Sequence, residues 1–555
     1  MYLRTIARRN QDGSVVRYCQ LAHNVRNARG QSQAQVIYSF GREEELDREA
    51  LARLVRSISR VLGPGQALAA GAPEELRFLS SRSMGGGHLL DHLWRRLGID
   101  AAITRALAAR RYPADIERTL FALVANRALD PTSKLRCAQR WAREQVALPD
   151  VEAFSEDDAY RAMDALLACE DEIAEGIWSA VATLLNLEVD LIFFDTTSTY
   201  FEVEDEDAST TESEGFRRFG HSKDRRPDRP QVVIGMAVTR EGIPIRVWSF
   251  PGNASDQVLI KTVKDDLRAR RLSRVVWVLD RGFASEENRR YLQRAGAHYI
   301  LGEKLRAGRE NDEALSRPGR YAAVREGLEV KEVWIGEGTA RRRFIVCRNP
   351  AEAARDAERR KQALARIETE LAAVARKRTA DARRDAEALL LAHPTLGRYL
   401  HRTEGGLEVD RGAISTEERL DGKFLLSCSD DTLSAEEVAL GYKGLLEVER
   451  GWRAFKHVLD LRPVHHRKEE RIRAHVLLCW LGLLLIRVAE REVQATWQHI
   501  ADEMARLHLG SFAGPAGAVT QRTELTVRQQ DILRAVGAKE PPRFLGITPA
   551  EAVPA

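Results

Sequence analysis

Three acids in this chain stand where phosphate chemistry could be done. Asp195 closes the apolar run LIFFD and is followed by TTSTYF, Asp280 closes VVWVLD and is followed by RGF, and Glu449 lies in YKGLLEVERGWRAFK, residues 442–456. An acid that closes a buried strand sits at the sheet edge, where ligands bind in α/β folds. The same position also suits a carboxylate that merely caps the next turn. Read as one helix, 442–456 puts Tyr442, Glu449, Arg453 and Lys456 on one stripe, because steps of seven and four residues return to the same side. Glu447 lies about 200° round that helix from Glu449. Leu445, Leu446, Val448, Trp452 and Phe455 make its apolar face. Three carboxylates suit Mg²⁺, a hard ion that prefers oxygen ligands and tolerates phosphate oxygens in its shell. Two such ions about 3.5–4 Å apart can activate a nucleophile and stabilise the leaving oxygen of a phosphodiester. The adjacent His465 and His466 point to different sides of any regular element, so they read as solvated or phosphate-facing rather than as ligands.

The surrounding charge fits a polyanion. Whole-chain charge says little, with 86 Lys and Arg against 82 Asp and Glu, a net of +4. Locally, residues 450–473 hold eight Lys or Arg against three acids. Residues 216–231, FRRFGHSKDRRPDRPQ, hold six against two and read as a Pro- and Gly-bearing loop offering His221, Lys223 and Arg226 to phosphates. The preceding block, 202–214, has seven acids and no base. It reads as a solvated segment that neutralises its basic neighbour.

These residues need a frame. At 555 residues the chain exceeds one ordinary domain. Residues 1–62 open with alternating segments around Asp12-Gly13 and predict a small β-rich unit. Residues 63–188 are predicted largely helical, with basic stretches at 104–111 and 134–143. Residues 189–304 carry strand patterns (VDLIFFD, QVVIGMAV, IPIRVWSF, RVVWVLD, HYILGEK) and one helix, SEENRRYLQRAG, and so predict the first part of a mixed α/β core. Residues 305–425 read as an insertion domain with short strands and a helical hairpin, 426–500 as the second part of the core, and 501–555 as a C-terminal region whose end, 540–555, looks irregular. The six cysteines are scattered without a C-x-x-C pair, which argues against a zinc site or disulfide framework and for a reducing cytoplasm. The N-terminus lacks a signal-peptide apolar stretch, and the longest apolar run, 476–486, is too short to span a bilayer and predicts a buried helix. A soluble cytoplasmic protein without a membrane partner is expected.

Several segments occur in a telling order: ALDPTSKLR at 128–136, FDTTS at 194–198, G-H-S-K-D-x-R-P-D-x-x-Q from Gly220 to Gln231, GNASD at 252–256, LDRGFAS at 279–285, DGKFLLS at 421–427 and RPVHH at 462–466. With Tyr442, Glu449 and Lys456 they resemble the bacterial insertion-sequence transposases of the DDE class that carry the signature Y-x2-R-x3-E-x6-K. The resemblance implies a ribonuclease H-like core interrupted by an insertion domain, which would occupy part of the 168 residues between Asp280 and Glu449. It implies Asp195, Asp280 and Glu449 as catalytic metal ligands for two Mg²⁺, with Mn²⁺ able to substitute, and Tyr442 and Lys456 as holders of DNA phosphate. It implies terminal inverted repeats and target DNA as partners, a homodimer on DNA, and cut-and-paste transposition, with a hairpin step known among relatives. One departure stands out: Leu445 occupies the signature arginine position, and Lys443, Arg450 or Arg453 would have to compensate. Two rivals remain. A phosphatase-like hydrolase using FFDTTS would want a second acid where Thr197 stands. A non-enzymatic DNA-binding protein derived from a transposase would not need all three acids.

Overall fold

The computed structural model describes residues 1–26, 31–62, 77–185, 191–209, 215–269, 275–338, 341–462, 464–514 and 517–549. The chain forms two compact units, one of residues 1–80, 510–521 and 544–555, the other of 81–509 and 522–543.

In the first unit, Tyr2–Arg9, Val15–Arg26 and Ser32–Arg42 form an antiparallel sheet. The turn at Asp12-Gly13 is set by Gly13 at φ +85° and by Asp12 accepting the Ser14 N–H at 2.9 Å. The helix Arg48–Leu62 follows. The tail differs from its irregular reading. Phe544–Pro549 is a strand paired antiparallel with Gly517–Arg522, because the two prolines at 541–542 precede the strand rather than interrupt it. Residues 63–76 and 550–555 lie outside the described residues, and Arg77–Ser83 is a strand where helix was expected.

The second unit is built on a nine-stranded sheet. Its strands, numbered in chain order, are β1 (Leu191–Tyr200), β2 (Gln231–Val238), β3 (Pro244–Pro251), β4 (Val276–Leu279), β5 (His298–Glu303), β6 (Ala322–Arg325), β7 (Leu328–Ile335), β8 (Arg342–Arg348) and β9 (Lys423–Cys428). Their spatial order is β6-β7-β8-β9-β5-β4-β1-β2-β3. β1, β2 and β3 form an antiparallel meander, while β4 and β5 run parallel to β1. Strands β6, β7 and β8 of the predicted insertion join the core sheet, whereas Leu400–Thr403 and Gly406–Val409 pair antiparallel as a separate two-stranded sheet. β9 pairs antiparallel with β5, and β8, β7 and β6 continue outward from it. The two-stranded hairpin and the helical pair Pro350–Ala375 and Ala380–Leu391 leave the core sheet together and share a small core of Ile367, Leu390, Tyr399, Leu400 and Leu407.

Side chains alternate across this sheet. Phe193, Val278 and Ile300 enter the apolar cluster on one face, and Phe194, Leu279 and Leu301 the cluster on the other. The first face is covered by the helix Glu469–Val493, which buries the predicted run 476–486, and by two short helices, α1 (Ala435–Lys443) and α2 (Leu446–His457). Among the described residues Glu469–Val493 is the one helix long and apolar enough to cross a membrane, and 89% of its apolar window is buried inside the protein.

Lys134, in the ALDPTSKLR segment, is buried here with Nζ 3.0 Å from Nδ1 of His475. Burial, then the neighbouring Arg127 charge, pushes its pKa down to about 7. Above that pH the unfolded chain binds the Lys134 proton more tightly than the folded one, so this group makes stability rise with pH until the unfolded lysine titrates. Urea midpoints should therefore climb between pH 7 and 8.5 more steeply in the wild type than in Lys134→Met. Equal slopes would show that Lys134 keeps its ordinary pKa.

Candidate active site

The two aspartates meet through strand register. β1 pairs with β4 in parallel, ending at Phe194 opposite Leu279. One residue further along both chains stand Asp195 and Asp280, on the face of Phe193 and Val278. Asp195 does not end its strand as expected. TTSTY continues β1, paired with β2 as far as Tyr200 opposite Gln231. β4 stops at Leu279, so the gap at the sheet edge opens beside Asp195 rather than beyond it.

The third acid comes from the helices above. The stretch 442–456 is not one helix. α1 ends at Lys443 and α2 begins at Leu446, joined by tight three-residue turns in which Gly444 N–H bonds Gly441 O at 2.9 Å and Glu447 N–H bonds Gly444 O at 2.9 Å. The break splits the stripe, leaving Arg453 and Lys456 off the cavity that its other two members line. Glu449, Tyr442, Asp195 and Asp280 line one cavity of about 400 Å³. Glu447 turns away, to Arg487 at 2.5 Å and Arg450 at 2.7 Å. Val448, Trp452 and Phe455 are buried as predicted, whereas Leu446 is 53% exposed and Leu445 lines the cavity.

Charges crowd this cavity. Burial raises the pKa of Asp195, Lys223 opposes the rise, and Asp256 and Asp280 add to it. Lys223 Nζ lies 3.7 Å from Asp195 and 3.3 Å from Asp256, and donates to Thr196 O at 2.8 Å. Tyr442 donates to Asp280 Oδ1 at 2.9 Å, and its ring stacks on Phe424 at 6.0 Å. Burial and the Asp280 charge raise its phenol pKa, so the phenol stays protonated. Among the described residues no three acids, imidazoles or thiols converge as a ready metal cage. The donor set nonetheless fits a hard dication, being three carboxylates on one cavity with Asp195 disfavoured as a bare anion.

Gly302 makes the Tyr442 contact possible. A Cβ at Gly302 would lie 2.3 Å from the Tyr442 hydroxyl. Gly302→Ala should push the phenol off Asp280 and lower strand cleavage about as much as Tyr442→Phe, roughly 10- to 100-fold for one lost hydrogen bond to a charge. The double variant should be no worse than either single one. Multiplying losses would show that the two residues act separately.

Two family models match this chain. The IS1634 family transposase N-terminal domain matches residues 3–68, and the transposase DDE domain matches residues 192–485, more than half of the chain and all three acids. The chain belongs to the DDE transposases. It is a DNA transposase, a metal-dependent enzyme of phosphodiester cleavage and transesterification. No curated protein matches it. Among solved structures, the piggyBac transposase synaptic complex with hairpin DNA aligns at 10% identity over 81% of this chain and 79% of that one, with a TM-score of 0.35.

The transposase's expected DNA contacts are distributed unevenly. Lys456 bonds Asp224 at 2.8 Å, and Arg462 takes the other Asp224 oxygen at 2.8 Å. Arg226 is held by Asp228 at 2.9 Å, and Lys223 faces Asp195 and Asp256. His221 and Arg453 are exposed. The acidic and basic blocks do neutralise each other in part, through Arg217 with Asp207 and Arg218 with Glu206. Asp256, Asp224, Gly302 and Arg325 were not singled out from sequence. Asp256 lay in the recognised GNASD segment and Asp224 in GHSKD, so both had a signal. Gly302 and Arg325, which also lines the cavity, had none.

Proposed function

We propose that this transposase cuts DNA at the terminal inverted repeats of its own element and joins the freed 3′ ends to target DNA, in cut-and-paste fashion, as a homodimer on DNA. The observation that carries the reading is the parallel register that sets Asp195 beside Asp280, with Glu449 facing the same cavity. Asp195, Asp280 and Glu449 would hold two Mg²⁺, with Mn²⁺ as a substitute. Such ions supply the charge that activates an attacking oxygen and stabilises a leaving one. Tyr442 stays protonated, donates to Asp280 here, and would be the group able to donate to a phosphate oxygen beside it. Lys223 balances the charge of Asp195 and Asp256. Lys456, Arg453, His221 and Arg226 would take flanking phosphates, Lys456 by leaving Asp224. Residues 63–188 would read the repeats.

The test is cutting of a duplex that carries the inverted repeats flanking the coding region. Breaks at the element ends should appear with Mg²⁺ or Mn²⁺ and vanish with EDTA. Binding without cutting in either metal would overturn the enzymatic reading for this chain.

A further inference from the structure

Leu445 leaves the cavity without the cation that the Y-x2-R-x3-E-x6-K signature places there, and the sheet supplies one from another direction. Arg325 ends β6, at the outer edge of the sheet, and lines the same cavity as Asp195, Asp280 and Glu449. Two local features aim it. The β6–β7 register shifts between Ala323 and Arg325, and such an irregularity redirects the side chain that follows it. The hairpin then closes through Glu326-Gly327, with Gly327 at φ +70°. Behind this tip, Leu328 is fully buried and Val324 packs on the main core, so the hairpin is anchored rather than loose.

Lys443, at the end of α1, lines the cavity too. Neither Arg325 nor Lys443 has an ion-pair partner among the described residues, unlike Lys223, Arg226, Arg450, Lys456 and Arg487 around them. Burial and the Arg325 charge both disfavour the charged form of Lys443. Two unpaired cations that repel each other at the rim of a carboxylate cavity make a place for an anion, and an arginine fork matches a phosphate in two hydrogen bonds.

We infer that Arg325, with Lys443 beside it, grips a DNA phosphate next to the cleaved bond, and so does from the inserted hairpin what the signature arginine would do from position 445. This rests on the active-site reading above. Arg325 is a positioning residue, holding the strand against the carboxylates. A cation on an edge strand can also serve only to block edge-to-edge pairing, and that role would leave cleavage untouched.

The experiment measures single-turnover cutting and binding of a duplex carrying the inverted repeats. Its proteins are the wild type, Arg325→Ala, Arg325→Gln, Glu449→Ala, and Leu445→Arg combined with Arg325→Ala. Arg325→Ala and Arg325→Gln should cut about 10- to 100-fold more slowly with unchanged thermal midpoints. Leu445→Arg should recover at least about tenfold of that loss by restoring a cation at the cavity wall. A single neutral methylphosphonate beside the scissile bond should slow the wild type much more than Arg325→Ala, which keeps only the Lys443 contact. Arg325 variants that cut at wild-type rate, or the same methylphosphonate sensitivity in both proteins, would overturn the inference. Cutting by Glu449→Ala would instead overturn the site reading on which it rests. Should the alanine variant fail to fold, Arg325→Gln, which keeps the stem and a planar amide, decides.

Discussion

Glu449→Gln should lose at least about 10³-fold in end cutting, while Glu447→Gln should cut at close to the wild-type rate and lose stability instead. The two acids are separated by one residue, and the structure gives them opposite surroundings. Glu449 faces the cavity that holds Asp195 and Asp280. Glu447 is clamped by Arg487 at 2.5 Å and Arg450 at 2.7 Å, with its side chain only 20% exposed. A neutral amide at 449 removes charge where a dication and developing phosphate charge must be balanced, and such electrostatic losses are among the largest that single substitutions cause. An amide at 447 leaves Arg487 half-paired, at a cost of about 1–3 kcal/mol. Single-turnover cleavage and urea midpoints on the same preparations separate the outcomes. A cutting defect confined to Glu447→Gln would mean that the third ligand has been misassigned.

The aspartates were legible because continuous apolar runs ending in acids mark buried strands, and only strand register was needed to bring them together. Their depth was not legible. The apolar run marked a strand only as far as Asp195, yet the hydroxyl and aromatic side chains of TTSTY suit a pleated surface, and pairing with β2 carried β1 on to Tyr200. Helical periodicity grouped Tyr442 with Glu449, which share the cavity, but could not see that Gly444 would break the helix, since one glycine costs a helix only about 1 kcal/mol. Strands β7 and β8 were legible in the segments VKEVWIG and RRRFIVC, whereas β6 was not. That they would extend the core sheet depended on β9 pairing with β5, a contact across more than a hundred residues that no local pattern encodes. Arg325 was invisible for the same reason: its place at the cavity follows from that long-range pairing and from a register shift, neither of which has a sequence signature.

The break at Gly444 also sets the second large effect. A Cβ there would sit 2.5 Å from Cζ and 2.6 Å from Cε1 of Phe193, and 3.0 Å from Gly441 O. Phe193 is fully buried in β1, two residues before Asp195 and on the same face. It cannot swing aside as a surface side chain would, because it is packed within the core under the helices. Gly444→Val must therefore lift the α1–α2 junction away from the sheet. That junction carries Tyr442 and Glu449, while the sheet carries Asp195 and Asp280, so the lift widens the cavity along the line that separates its ligands. Overpacking alone costs about 1–3 kcal/mol. A displacement of about 1 Å between reacting groups can cost on the order of 100-fold in rate. Gly444→Val should thus cut at least about 100-fold more slowly and melt earlier. Gly444→Ala should show a milder form of both defects, and Phe193→Leu, which shortens the obstructing ring, should partly restore cutting to Gly444→Ala. Such rescue distinguishes a misplaced helix from a merely destabilised protein, since Phe193→Leu alone removes buried volume and lowers stability. Gly444→Val that cuts at the wild-type rate would show that the helices need not touch β1 for Glu449 to reach the aspartates.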